Sequence, residues 1–215
     1  GFLQPIDRNF QIEHPLTDKV ESYIQNNLSL LILQVTQNCN LRCKYCVYSG
    51  SYVNRVHTNK RMNFETAKQA VDFYYNHSKN IDIASISFYG GEPLLEFELI
   101  RNIVEYCEMK FSGKQLNLNM TTNATLLTNE MMDFLQVHKI NLTISLDGPE
   151  EIHNKNRVFA DHTKGTFAKV LDNLNKFQQL YPDYVDTISF NAVFDEENNF
   201  KISNDFFSSD FMKKA

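Results

Sequence analysis

The chain predicts an α/β fold built on a parallel sheet with helices outside it. Three observations carry this. Five short segments rich in Ile, Val, Leu and Phe recur along the chain, helical periodicity fills the gaps between them, and capping or turn residues stand at the joins. A short helix over 17–26 comes first. Leu30–Thr36 reads as the first buried strand, followed by strands over 83–88, 116–120, Asn141–Ser145 and 187–194. Between them, Phe64, Ala67, Ala70, Val71 and Tyr74 mark a helix over 64–77 with Asn63 as its N-cap. A second helix spans 94–111 and stops before Gly113. A third, over 128–137, takes Thr128 as its cap. The fourth, over 166–180, takes Thr166 as its cap and ends before Pro182. After the fifth strand the chain turns polar at 195–199, and another helix is expected near 206–212.

The 215 residues suffice for one domain with a hydrophobic core, and 42% hydrophobic against 22% charged residues marks a globular chain. A net charge of −5 without a basic, aromatic-studded stretch argues against nucleic acid as a partner. No apolar run approaches the roughly 20 residues a membrane helix needs.

Three of the four cysteines sit in one run, Cys39-Asn40-Leu41-Arg42-Cys43-Lys44-Tyr45-Cys46, directly after the first strand. Three clustered thiolates can hold three corners of a cubane iron–sulfur cluster and leave the fourth iron open to a small molecule. A disulfide leaves one thiol over and has no signal peptide to support it. The competing structural reading is a zinc loop with His57 as fourth ligand. Cys107 falls on the apolar stripe of the second helix and reads as a small core residue.

A second motif, Phe88-Tyr89-Gly90-Gly91-Glu92-Pro93-Leu94-Leu95, closes the second strand at the end where parallel α/β folds collect ligands. Gly90 and Gly91 allow close backbone approach, Glu92 adds a carboxylate, and Pro93 sets the turn into the helix; a plain strand-to-helix loop is the alternative. Asn123, in Thr121-Thr122-Asn123, and Ser145, in Ser145-Leu146-Asp147-Gly148-Pro149, stand at the same strand ends. Their amide and hydroxyl suit a ribose or a carboxylate, although both segments are also turn formers. Asp147 and His153 are readable equally as substrate contacts or as turn and core residues.

The three-cysteine run, with Gly90-Gly91-Glu92-Pro93 downstream, resembles the signature of the radical S-adenosylmethionine (radical SAM) enzymes. That resemblance implies a partial (β/α)6-type barrel, here seen to about the fifth strand, with a [4Fe–4S] cluster on Cys39, Cys43 and Cys46 and S-adenosyl-L-methionine on its open iron. It also implies that Gly90, Gly91, Glu92 and Pro93 hold the methionyl amino group. Tyr45 then lies near the adenine, or packs on the loop as a surface tyrosine. Arg157 takes the position that pairs with the methionyl carboxylate, or is a solvated arginine. Asn191 and Val193 line the adenine side. One-electron cleavage of the cofactor to methionine and a 5′-deoxyadenosyl radical is implied by the family, as is a reducing, cytoplasmic setting.

Segments 33–50, 55–62, 89–95 and 145–157 resemble the peptide-modifying branch, which includes thioether-forming maturases of cysteine-rich ribosomal peptides and the sulfatase-maturating enzymes. The branch implies a precursor peptide as substrate and an electron donor such as flavodoxin or ferredoxin. Formylglycine formation on a sulfatase and a non-catalytic metal-binding fragment are the alternatives. Residues 1–28 read as an N-terminal segment, the tail of a peptide-recognition region, and 29–215 as the radical SAM core, truncated at its C-terminus. No cysteine comes after Cys107, so the branch's cysteine-rich SPASM extension is absent from this chain.

Overall fold

The computed structural model describes residues 14–49, 52–162, 164–194, 200–209 and 212. Most of the N-terminal segment's first half, and the polar run at 195–199, lie outside the described residues. Five parallel strands form one sheet in the order β1-β2-β3-β4-β5. They are β1 (Leu30–Thr36), β2 (Ile83–Gly90), β3 (Gln115–Thr122), β4 (Asn141–Ser145) and β5 (Ser189–Asn191). Each crossover moves one strand further in the same direction, which gathers the helices on one face. This is the open sheet of a partial barrel.

Helix α1 (Val20–Asn26) precedes β1, α2 (Phe64–Asn76) joins β1 to β2, and α3 (Phe97–Lys110) joins β2 to β3. Helix α4 (Asn129–Val137) joins β3 to β4, while α5 (Glu150–Asn156), α6 (Phe167–Leu180) and α7 (Pro182–Val185) lie between β4 and β5; α8 (Phe200–Phe207) comes last. Two of the expected caps act as such. Asn63 accepts from Thr66 N and Thr128 from Met131 N, each worth about 1 kcal/mol.

From β2 to β4 the buried apolar residues alternate along the strand, whereas β1 is apolar throughout Leu30-Leu31-Ile32-Leu33. Leu33, Val35, Ala84, Ile86, Phe88, Leu118, Met120, Leu142 and Ile144 are buried with Val71 and Tyr74 of α2, Ile100 and Val104 of α3, Leu135 of α4 and Leu174 and Phe177 of α6 in one core. The opposite face carries Ser85, Ser87, Asn117, Asn119, Thr121 and Thr143, with Ser87 beside Asn119 and Thr121 beside Thr143 in register. A sheet packed on both faces reads as near-continuous apolar runs. Here one face is core and the other is a largely hydrophilic floor, edged on β1 by Leu30 and Ile32.

Several elements depart from the sequence reading. The fifth strand is only Ser189–Asn191, because Thr187 and Ile188 cap the preceding turn instead, through Tyr184 O and Val185 O. Val193, expected on that strand, stands just past it. The helix expected from 94 starts as a tight turn, Pro93–Glu96, capped by the Glu92 side chain. Thr166 does not cap α6 with its side chain; its hydroxyl faces His153 Nε2 at 2.9 Å and Arg157 O at 3.3 Å. Helix α5 was not anticipated, and the last helix begins at Phe200, upstream of the expected 206–212.

Candidate active site

The strand ends surround a cavity of about 320 Å³ lined by Cys39, Cys43 and Cys46, with Tyr45 and His57 beside them. Tyr89, Gly90, Gly91, Thr121, Thr122, Asn123, Ser145, Asn191, Val193 and Arg157 also line it, with Leu41, Val47 and Tyr48 of the cysteine loop. All five strands therefore contribute through the loop or residue at their C-terminal end. Of the residues expected to hold the cofactor, Glu92 and Pro93 fall outside the lining, buried behind it, as do Asp147 and His153, the two readable as substrate contacts.

The cysteine loop is fastened on two sides. The segment after α5 runs antiparallel to it: Arg42 N donates to Val158 O at 2.9 Å, Lys44 N to Asn156 O at 3.0 Å, and Ala160 N to Asn40 O at 2.9 Å. On the other side lies the glycine pair. Gly91 N donates to Thr36 O at 3.0 Å and Glu92 N to Asn38 O at 2.9 Å. A Cβ on Gly91 would stand 2.2 Å from Asn38 O, and one on Gly90 2.5 Å from Thr36 O. The glycines are thus required by backbone packed on backbone. They bring the end of β2 against the strand that delivers Cys39.

Sulfur finds hydrogen-bond donors here. Cys39 Sγ accepts from Leu41 N at 3.4 Å and from Asn123 Nδ2 at 3.8 Å, and Cys46 Sγ from Tyr48 N at 3.5 Å. Such donors suit anionic thiolates bound to iron. Burial pushes the Cys39 thiol up to about 12 and the Cys43 thiol to about 11, so metal loading must displace their protons. The thiols line one cavity, yet among the described residues no three His, Cys, Asp or Glu side chains converge so as to hold a single ion. His57, the ligand a zinc loop would need, faces Ser49 Oγ through Nε2 at 2.6 Å and Gln37 O through Nδ1 at 3.4 Å.

Asn123 is knitted to the same loop. Its Nδ2 donates to Asn40 Oδ1 at 2.9 Å, Asn40 Nδ2 donates to Thr125 Oγ1 at 2.8 Å, and Thr125 N and Oγ1 donate back to Asn123 Oδ1 at 3.0 and 2.7 Å. Glu92, 1% exposed, accepts from Leu94 N, Thr122 Oγ1 and Asn123 N at 3.0, 2.7 and 2.8 Å. Burial pushes its carboxyl pKa up, against the pull of these three donors.

Tyr45, Asp147, Arg157 and Val193, each named from the sequence separately, are joined in one polar cluster that the sequence reading did not foresee. Asp147, 1% exposed, accepts from the Tyr45 hydroxyl at 2.7 Å, from Arg157 Nε at 2.9 Å and Nη2 at 3.1 Å, and from Val193 N at 3.1 Å. Burial holds the Tyr45 phenol far above its usual range, so it remains a donor. Arg157 is 7% exposed and stacks over the Tyr45 ring at 5.4 Å; it is not a solvated arginine. Asp147 was readable as a substrate contact or as a turn former in Asp147-Gly148-Pro149, not as the partner of Tyr45 and Arg157. Pro149 ahead of Glu150 and Glu151 was the one available sign of α5.

His153, fully buried in α5, contacts Asp147 N through Nδ1 at 3.4 Å and Thr166 through Nε2. Burial, with Arg157 nearby, lowers its pKa from 6.5 to about 4. The folded value lies below the unfolded one, so its contribution to stability is present above about pH 6.5 and is lost as pH falls toward 4. Between about pH 7 and pH 5 this should cost about 2 kcal/mol. Urea unfolding of the wild type and of His153→Gln at both values checks it: the variant should lose less stability on acidification, and an equal loss would refute the assignment.

A second cavity, of about 270 Å³, lies on the hydrophilic floor between Ile32, Ser87, Asn119 and Thr143 and shares Tyr89 and Thr121 with the first. Among the described residues no helix is long and apolar enough to cross a membrane.

Residues 33–203 match the radical SAM superfamily. An uncharacterised protein of Methanocaldococcus jannaschii is 42% identical over 120 residues, 56% of this chain and 39% of that protein. A cysteine-type anaerobic sulfatase-maturating enzyme of Clostridium novyi is 30% identical over 162 residues, 74% of this chain and 42% of that enzyme. The solved structure of native anSMEcpe with bound AdoMet and Cp18Cys peptide superposes with a TM-score of 0.69 at 27% identity, over 83% of this chain and 47% of that one. The chain spans less than half the length of each of these relatives.

Proposed function

We propose, since the chain belongs to the radical SAM superfamily, that it is the cofactor-binding core of a peptide maturase that takes a hydrogen atom from a ribosomal precursor peptide and forms a thioether crosslink at cysteine. The family's cofactors are a [4Fe–4S] cluster and S-adenosylmethionine. Cys39, Cys43 and Cys46 would hold the cluster. Gly90, Gly91, Asn123, Ser145, Arg157 and Val193 would hold S-adenosylmethionine, with Tyr45 flanking it. When bound, the pair supplies one-electron cleavage to methionine and a 5′-deoxyadenosyl radical, the hydrogen-abstracting agent. The chain's own part is to bind, orient and shield: Arg157 offers a cation, Asn123 and Ser145 offer neutral donors, and the sulfur-facing amides steady the thiolates.

That the three thiols, the glycine pair and Arg157 all line one cavity carries this reading. Ser87, Asn119, Thr121 and Thr143, which line the neighbouring cavity together with Ile32, Phe88, Tyr89 and Met120, support a peptide substrate, because they match main-chain amides as donors and acceptors beside apolar surface. Formylglycine formation on a sulfatase is the second reading, favoured by the likeness to a sulfatase-maturating enzyme. Incubation of the reconstituted, reduced protein with a cysteine-rich precursor peptide and with a sulfatase-derived peptide separates the two. Loss of two hydrogens with sulfur retained supports the thioether reading; loss of sulfur from the sulfatase peptide supports the second. If 5′-deoxyadenosine forms and neither peptide changes, both substrate readings fail.

A further inference from the structure

We propose that Asp147 is a positioning residue for S-adenosylmethionine, fixing Arg157, Tyr45 and the backbone past β5 as one unit on the cavity wall. The inference rests on the cofactor reading above and adds a residue that lies outside the lining of the cavity. Its carboxylate is buried, and its hydrogen bonds go to groups that do line it. Oδ2 accepts from the Tyr45 hydroxyl and from Arg157 Nε; Oδ1 accepts from Arg157 Nη2 and from Val193 N. These partners come from the cysteine loop, the segment after α5 and the end of β5. One carboxylate therefore sets the spacing of three separate pieces of chain.

The way Arg157 is gripped matters. A guanidinium has five N–H donors in a rigid plane. Asp147 takes the side formed by Nε and Nη2, and among the described residues no hydrogen bond engages Nη1. The arginine is locked in place with one edge still available to a carboxylate in the cavity. Buried and paired, it cannot swing into solvent between turnovers. The ring of Tyr45, stacked under the guanidinium, is fixed by the same oxygen. Such preorganisation removes ordering cost from ligand binding.

Asp147→Asn, Tyr45→Phe and the double variant of the full chain test this. The readouts are iron content after anaerobic reconstitution, the dissociation constant for S-adenosylmethionine, and the change in the reduced cluster's EPR signal when S-adenosylmethionine is added. Asp147→Asn should retain its iron and bind S-adenosylmethionine about 10- to 100-fold more weakly, as loss of a supporting residue does. Tyr45→Phe, which removes a single hydroxyl, should show a smaller loss in the same direction. Adding it to Asp147→Asn should cost little more, since both act through one bond. If Asp147→Asn does not fold, Tyr45→Phe alone decides by its affinity and EPR response. Wild-type affinity in iron-loaded single variants, or fully additive losses in the double variant, would overturn the positioning role. Failure of the iron-loaded wild type to bind S-adenosylmethionine would instead overturn the cofactor reading, and the proposal with it.

Discussion

Cys43→Ala should abolish cluster assembly and S-adenosylmethionine cleavage together. The reconstituted wild type is expected to carry about four irons per chain, and the variant no stable cubane, because two cysteines cannot hold three of its corners. Cys43 is the middle cysteine of the loop, 9% exposed, with its backbone carbonyl accepting from Cys46 N at 3.0 Å. That contact survives the substitution, so the loop should keep its shape while losing a thiol. Cys107→Ala is the matching control. Cys107 is fully buried in α3, away from the cavity, and its replacement should cost about 1 kcal/mol of stability while leaving the iron content unchanged. Iron counting and dithionite-driven formation of 5′-deoxyadenosine read both variants. Cleavage retained in Cys43→Ala would remove the cysteines from the cofactor site.

The first four strands were legible because turn-forming or charged residues stand within two positions of their ends. β1 and β4 fall at the expected Leu30–Thr36 and Asn141–Ser145, with Ser29 before β1 and Asn38 after it, and Lys139 before β4 and Asp147 after it. The helices of the first four units were legible from their apolar stripes, which are the faces now buried against the sheet. What period and composition could not separate was a strand buried on both faces from one buried on a single face. Short segments with alternating Ser, Asn and Thr carry both signals, and the hydrophilic floor emerged only from the register. β5 was overextended because Thr187, Ile188 and Val193 have strand propensity, yet backbone bonds to the preceding turn and to Asp147 claim them.

The site shows the same division. The place of the cysteines, the glycine pair, Asn123, Ser145 and Val193 on the cavity wall was legible because it depends on chain position: each stands at or just past the C-terminal end of a strand, where parallel sheets gather ligands. Asp147 stands past a strand too, but its role depends on partners 102, 10 and 46 positions away. A carboxylate in a Ser-Leu-Asp-Gly-Pro segment looks identical whether it turns toward solvent or gathers three loops. The brace from Asn156 to Ala160 was hidden likewise, since backbone hydrogen bonds leave no side-chain signature.

Glu92→Ala should lower folding stability by about 2–4 kcal/mol and weaken S-adenosylmethionine binding in step with that loss. The Glu92 carboxylate joins the turn after β2, through Leu94 N, to the end of β3, through Thr122 Oγ1 and Asn123 N. Alanine would leave two buried N–H groups and one hydroxyl without an acceptor. The damage should then travel. Asn123 is the residue that faces Cys39 Sγ and Asn40, so loosening its backbone loosens the neighbourhood of the first cysteine. Glu92→Gln separates this from direct contact with the cofactor. Glutamine keeps the shape and the oxygen that serves Leu94 and Thr122, but turns an amide N–H toward Asn123 N, setting donor against donor. If Glu92 acts through the two loops, Glu92→Gln should be intermediate in both unfolding midpoint and affinity, and iron content should fall only when stability does. If the carboxylate instead holds the methionyl amino group itself, both variants should lose affinity at full stability. Urea unfolding and equilibrium binding on the same reconstituted samples distinguish the two, and the burial of Glu92 behind the cavity wall favours the first.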